Sequence, residues 1–190
     1  MIESAGASDL ITYNADGFQV TTLPFIYEAD VSGKGILLGH MARANPHWKL
    51  AKGSHGLVIV RGPSAYVSPS VYPSKKEHHK VVPTWNYVTV HLRGTVVVHE
   101  ETTWIKEVVS RLTDRFEVVS EAPWKISDGP EDFIESQLKA VVGIEFCVQE
   151  IQAKYKLSQN RPEADFEAVR YDMLRRSELP MYEAMTHLKR

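Results

Sequence analysis

Three polar strings interrupt the apolar runs of this chain, and each carries groups able to hold a ligand. They are G-H-M-A-R-A-N-P-H-W at residues 39–48, P-T-W-N-Y at residues 83–87 and K-L-S-Q-N-R-P at residues 156–162. Each sets amides or hydroxyls beside a cation or an aromatic ring. A phosphorylated flat-ring ligand asks for that mix: cations and N–H or O–H donors on phosphate, polar groups on ring edges, apolar walls on ring faces. The third string is the most physical case. Lys156, Ser158, Asn160 and Arg161 immediately precede a helical stretch whose first turn contains Pro162, and free amides at the positive end of a helix dipole attract anions. A plainer account fits the same residues, with Asn160 capping the helix and Arg161 pairing with Glu163 or Asp165. His40, Arg43 and Asn45, at the end of an apolar run, read either as ligand contacts or as satisfied polar groups of the fold. Trp85 reads first as a large core or interface ring, with ligand stacking second.

Other chemistries find less support. In Glu77-His78-His79, adjacent loop side chains do not converge, so no metal site is expected. His91 and His99 fall on strand positions that solvent exposure explains. The single cysteine, Cys147, excludes an internal disulfide and a cysteine-based metal cage, and its apolar run predicts a buried, inert thiol. No G-x-S-x-G, Walker-type phosphate loop or G-x-G-x-x-G occurs; Gly33, Gly35 and Gly39 have the wrong spacing for the last. The residues point to binding, with no nucleophile set beside its base, and leave open whether the protein is an enzyme.

The elements that must position these strings follow from patterning. At 190 residues, with 43% hydrophobic and 24% charged residues, the chain suits a globular domain with a sizeable core. A net charge of −2 supplies no basic footprint for nucleic acid. No apolar run reaches transmembrane length and no charged leader precedes an apolar core, so a cytoplasmic protein is expected. Residues 10–13 read as a short strand closed by the turn Asn14 to Gly17, and residues 18–27 as its hairpin partner, with Pro24 marking an edge or bulge. Residues 33–41 form a third strand, followed by a short helical stretch interrupted at Asn45-Pro46. Residues 56–63 read as a buried strand. In residues 66–93 one strand ends, three prolines and a basic, histidine-containing loop intervene, and a second strand resumes with Val88, Val90 and Leu92 on one face. Trp104, Val108, Leu112 and Phe116 make one stripe of an amphipathic helix. A second helix begins near Pro130, capped by Asp128, buries Phe133, Ile134, Leu138 and Val141, and ends at Gly143. A last strand covers 144–152, and a final helix runs from about Glu163 and is broken or ended near Pro180. This order predicts an α+β, mainly β, barrel-like fold with flanking helices, unlike the βαβ alternation of a Rossmann domain.

Together, G-H-M-A-R-A-N-P-H-W, G-P-S-A-Y-V-S-P-S-V-Y-P-S-K, V-V-P-T-W-N-Y-V-T-V-H and K-L-S-Q-N-R-P-E-A-D resemble the PaiB-like family of FMN-binding negative transcriptional regulators. The likeness covers the chain to about Asp165. It implies a split β-barrel related to pyridoxamine 5′-phosphate oxidase, with residues 1–162 as the FMN-binding domain and 163–190 as a C-terminal helical extension. It also implies a homodimer with FMN in grooves at the subunit interface. By resemblance, the backbone of Leu23, Pro24 and Phe25 flanks the flavin ring. Gly39, His40, Arg43 and Asn45 lie near the ribityl phosphate, as do Lys156, Ser158, Gln159 and Arg161. Thr84, Trp85 and Asn86 approach the same cleft, from the same or the partner subunit. Two departures stand out. Family members carry a further leading segment, whereas Met1 here falls almost at the first strand, and Tyr155 replaces a tryptophan common before K-L-S-Q-N-R. The functional expectation is a flavin-dependent redox or sensor role linked to transcriptional repression. The alternatives are a regulator contacting DNA directly through Arg170, Arg175 and Arg176, which the charge does not support, or a cofactor-free interaction module.

Overall fold

The computed structural model describes residues 2–3, 5–31 and 33–188; Met1, Ser4, Ser32, Lys189 and Arg190 lie outside the described residues. The chain opens with β1 (Ala7–Asn14) and β2 (Gly17–Pro24), a hairpin whose last pair is Asn14↔Gly17. Its turn is chemically explicit: the Asn14 side chain accepts from the Asp16 amide at 2.8 Å, and Gly17 takes φ 95°, where a side chain would be strained. Then come β3 (Ile26–Glu28), β4 (Ile36–Ala42), α1 (His47–Ala51) and β5 (His55–Val67). After a loop carrying the single turn α2 (Lys75–His78), the chain forms β6 (Thr84–His99), α3 (Thr102–Glu117), α4 (Glu131–Lys139) and β7 (Val141–Lys156). It ends with α5 (Glu163–Arg175) and α6 (Leu179–Thr186).

The strands make one seven-stranded sheet in the order β2-β1-β5-β6-β7-β4-β3, antiparallel at β1/β2, β1/β5, β3/β4 and β4/β7. Pro24 ends the edge strand β2, where a missing ladder donor costs least. The chain divides into two compact units. One comprises the residues up to Val60 together with His91–Gln152; the other comprises Arg61–Val90 together with the residues from Ala153 on.

In the first unit, Leu10, Val58, Leu92, Val96, Val142, Ile144 and Phe146 are fully buried on strand faces. Val108 and Leu112 of α3 pack on Leu38, and Ile105 packs with Ile134 and Leu138 of α4. Several expectations need correction here. Gly143 does not end α4, which stops at Lys139; it lies inside β7, where an added Cβ would sit 2.2 Å from the Trp104 ring. The bare glycine is what lets that indole lie flat, stacked on His99 at 4.0 Å, while His99 Nε2 bonds Glu145 Oε2 at 2.8 Å. His99 is therefore a packed, paired residue and not a solvent-facing one. Asp128 closes its own turn by accepting from the Lys125 amide at 2.9 Å, and the cap position of α4 is Pro130. Phe133 and Phe116, expected to be buried, are 54% and 45% exposed, because the helix stripes turn away from the sheet at those points.

In the second unit, Phe166, Val169 and Met173 of α5 recur at helical spacing and join Met181 and Met185 of α6, Ala65, Val67, Val88 and Leu157 in one core. The helical tail is interrupted near Pro180 as expected, between Arg175 and Leu179, and Pro180 itself occupies the first turn of α6, where its missing N–H is harmless.

Two stability predictions follow from these contacts. At Gly94 an added Cβ would meet the Cys147 carbonyl oxygen at 2.1 Å, a backbone clash no rotamer relieves. Gly94→Ala should cost about 3 kcal/mol in urea unfolding, whereas Gly6→Ala, with nothing within 4 Å, should shift it by less than about 0.5 kcal/mol. His47 is buried, with Nε2 2.9 Å from Thr12 Oγ1 and Nδ1 2.7 Å from Thr21 Oγ1, and burial pushes its pKa below the usual histidine value of 6.5. The unfolded chain thus takes up the proton first, so this contribution is complete above pH 6.5 and is lost as pH falls toward the folded-state pKa. The urea midpoint should drop between pH 7.5 and pH 5, and His47→Gln should flatten that drop.

Candidate functional site

The residues expected at a ligand gather in two clusters, one in each unit. In the second unit the cluster forms where β7 leaves the sheet beside β6. Leu157 is wholly buried and pins the exit. The next residue, Ser158, then takes φ 62°, a left-handed conformation unusual for a side-chain-bearing residue. That turn aims the Ser158 hydroxyl inward, where it donates to Asn86 Oδ1 at 2.9 Å, while Asn86 Nδ2 reaches Met185 Sδ at 3.6 Å. Gln159 folds back, its Oε1 accepting from the Leu157 amide at 2.7 Å and its Nε2 donating to the Tyr155 carbonyl at 2.6 Å. The Lys156 ammonium donates to Thr84 Oγ1 and to the Trp85 carbonyl. Residues 84–86 and 156–159, distant in sequence, therefore meet side by side.

Arg161 closes the turn, its amide donating to the Ser158 carbonyl at 3.0 Å. Its guanidinium lies 4.8 Å from the centre of the Tyr72 ring. Tyr72 is buried, its hydroxyl has no hydrogen-bond partner in good geometry among the described residues, and burial raises its pKa against the opposing pull of Arg161. Of the plainer account, the capping half fails: Asn160 does not cap α5, whose cap position is Pro162. Asp165 is taken by Ser74, accepting its amide at 3.0 Å and its hydroxyl at 2.7 Å. Trp85 is 56% exposed, neither core nor shielded, with Tyr66 edge-on at 5.9 Å. Tyr155 is 46% exposed. The Lys156 cation, the Thr84 hydroxyl and the open ring of Trp85 thus lie together, with the buried Ser158–Asn86 pair beside them, which is part of the donor set that a phosphorylated ring needs. Tyr66 and Tyr72 escaped the sequence reading; an aromatic at the end of β5 and another in the loop that follows it were the available signal.

In the first unit, Gly39 draws β4 against the Leu23-Pro24-Phe25 segment, for an added Cβ there would come 2.8 Å from the Pro24 carbonyl and 3.0 Å from the Phe25 ring. Leu23 and Phe25 are buried, and the Phe25 carbonyl accepts from the Arg115 guanidinium. Arg43 is heavily engaged: Nε to the Lys139 carbonyl at 3.0 Å, Nη1 to Glu100 Oε2 at 2.9 Å, Nη2 to the Val141 carbonyl at 3.3 Å. A guanidinium so placed keeps some donor capacity, but its first duty is to hold the α4–β7 turn. Asn45 clasps its own turn, donating to Thr21 Oγ1 at 3.0 Å and accepting from the His47 amide at 3.0 Å. His40 differs from both, since its Nδ1 is buried with no partner among the described residues and burial lowers its pKa.

The remaining candidates are quiet. Burial, then Glu145, pushes the Cys147 thiol pKa up, which favours the protonated form, although the residue is only partly buried where the apolar run predicted full burial. His78 Nδ1 accepts from the Lys80 amide at 3.0 Å. The arginines considered for DNA are tied down: Arg170 to Glu167, Arg175 and Arg176 to Asp172, and Arg176 also to the Tyr66 carbonyl at 2.9 Å.

Comparison with known proteins agrees with the sequence resemblance. Residues 1–150 match the family described as "Putative FMN-binding domain". The chain is 35% identical over 153 residues to the "Protease synthase and sporulation protein PAI 2" of Bacillus subtilis, covering 80% of this chain and 70% of the relative. Among solved structures, the FAD and heme binding protein from Mycobacterium smegmatis aligns with a TM-score of 0.60 at 15% identity, over 90% of this chain and 74% of that one. The flavocytochrome Anf3 from Azotobacter vinelandii aligns with a TM-score of 0.58 at 15% identity, over 81% of this chain and 64% of that one. No helix among the described residues is long and apolar enough to cross a membrane. With the split β-barrel fold of these solved neighbours and a family match over most of its length, the chain belongs to the FMN-binding domain family.

Proposed function

We propose that the protein is a homodimeric cytoplasmic flavoprotein that holds FMN and uses it in a redox or sensor role coupled to gene regulation. The observation that carries this reading is the meeting of residues 84–86 with residues 156–161 around Lys156. Lys156 and Arg161 supply positive charge for a phosphate, Thr84 a hydroxyl and Trp85 an open ring face, while the buried Ser158–Asn86 pair and the folded-back Gln159 hold the turn that carries them. Leu23, Pro24, Phe25, Gly39, His40, Arg43 and Asn45 enter the proposal on the family resemblance. Residues 163–190 stand in it as a helical extension of an FMN-holding domain at 1–162.

The bound flavin supplies reversible electron transfer, which none of the chain's own side chains offers. The residues' part is to bind, orient and exclude water. The Ser158–Asn86 bond fixes the left-handed turn, and that turn sets where Lys156 and Arg161 present their charge. A regulatory role draws support from the name of the Bacillus relative, which ties that protein to protease synthesis and sporulation. Direct DNA contact is the weaker reading, because Arg170, Arg175 and Arg176 are spent on internal carboxylates.

Purified protein should show flavin absorbance or quench FMN fluorescence on titration, and its native mass spectrum should show a dimer carrying FMN. Lys156→Ala and Arg161→Ala should each weaken FMN binding about tenfold, or about 1.4 kcal/mol. A colourless protein that leaves FMN fluorescence unchanged would overturn the assignment. Salt-sensitive DNA retardation that survives Arg175→Ala and Arg176→Ala would revive the direct-contact reading through another surface.

A further inference from the structure

A cavity of about 470 Å³ opens within the first unit, between the first turns of α3 and one side of α4. Two polar ridges beside one apolar stripe produce it. On α4, Ile134 and Leu138 recur four residues apart and are buried, and Ile126 of the preceding turn packs against them. These three residues make the apolar lining. Glu131, Glu135 and Lys139, also four apart, stand one step round the same helix and line one side. Thr102 and Lys106 of α3, beside the buried Ile105, contribute the other. Gly129 leaves the apolar part clear, for an added Cβ there would press on Ile134 Cδ1 at 2.7 Å. The volume falls in the range of about 300–1,000 Å³ typical of small-molecule sites.

The charges at this cavity are neither spent nor of one sign. Lys106 and Glu131 are exposed, and their side chains form no ion pair or hydrogen bond among the described residues. Lys139 Nζ and Glu135 Oε2 meet only at 3.9 Å, with side chains 71% and 60% exposed, too far for a hydrogen bond and worth little in water. All four groups are open to solvent, so a ligand reaches them without rearrangement of the core. Two ammonium groups and two carboxylates thus share the lining. A ligand of one sign is disfavoured: an anion drawn to Lys106 meets Glu131 and Glu135, and a cation drawn to Glu131 meets Lys106 and Lys139. A ligand carrying both signs pairs with both, and an apolar part of it covers Ile126, Ile134 and Leu138.

We propose that this cavity binds a free α-amino acid with a large apolar side chain. The ligand's carboxylate pairs with Lys106, its ammonium group pairs with Glu131, and its side chain lies on the apolar lining. The Ser127 hydroxyl, exposed at the same cavity and without a partner among the described residues, adds a donor for the carboxylate. None of these residues belongs to the flavin-phosphate cluster, so the site does not require that assignment to hold.

The test is calorimetry at pH 7.5 and low salt on the full chain, with L-phenylalanine as the probe. Two analogues accompany it: 2-phenylethylamine, which lacks the carboxylate, and 3-phenylpropanoate, which lacks the ammonium group. One phenylalanine should bind per chain, with each analogue at least about tenfold weaker. Lys106→Met should weaken phenylalanine about tenfold and leave 2-phenylethylamine no weaker, since that analogue has no carboxylate to lose a partner. Glu131→Gln should weaken phenylalanine by a similar factor and leave 3-phenylpropanoate no weaker. Both positions are exposed, so circular dichroism and FMN quenching should stay unchanged. Analogues that bind as well as phenylalanine, variants that bind it undiminished, or no saturable binding would overturn the proposal. So would displacement of phenylalanine by FMN, which makes the cavity part of the flavin site.

Discussion

The hydrogen bond between Ser158 and Asn86 is the constraint on which the candidate site depends. Both residues are buried, so neither can fall back on water, and breaking the bond would orphan an amide and a hydroxyl together. The bond needs Ser158 in a left-handed conformation, and the wholly buried Leu157 beside it resists any other path for the chain. Lys156 and Arg161 flank this short turn on either side. Their charges are presented where they are because a neutral buried pair fixes the backbone between them. A binding surface built on an interior polar bond is more rigid than one held only by exposed charges, which solvent screens.

In both clusters most of the polar capacity is already committed to the fold. Around Lys156, aromatic faces remain open and the Tyr72 hydroxyl lacks a partner in good geometry. In the other unit, Arg43 and Asn45 serve the fold, one stitching the α4–β7 turn and the other its own turn, while His40 Nδ1 is buried without a partner among the described residues. Residue type alone does not separate these cases. An arginine in a ligand-like string and an arginine bridging carbonyls look identical until the carbonyls are placed.

Much of the architecture was legible in the residues. Asn14 to Gly17 announced its hairpin, Val88, Val90 and Leu92 announced the buried face of β6, and the start of α5 was marked by Pro162 and Glu163. These signals are local, and local chemistry decides them. Errors arose where a distant residue took over. Gly143 reads as a helix stop until Trp104 is set against it, and Asp128 reads as a helix cap until it turns back on Lys125. His99 reads as solvated until Glu145 and the indole enclose it. Phe133 fits a buried stripe by spacing, but the layer that would cover it is not there. The site was legible as strings of suitable chemistry and by family resemblance. The partners that commit or free each side chain were not, because they come from segments far along the chain.

The pairing of β4 with β7, from Ile36↔Cys147 to Ala42↔Val141, carries a consequence for how the protein is made. During synthesis β4 leaves the ribosome long before its partner exists, and only the three-residue β3 is at hand to cover one of its edges. Leu37, Leu38 and Met41, all buried in the finished protein, must wait beside an unpaired strand edge until the last strand emerges. Such delayed, long-range closure makes folding slow and leaves a sticky edge in nascent chains. The late arrival of β7, not local helix formation, is then the step that closes this part of the sheet.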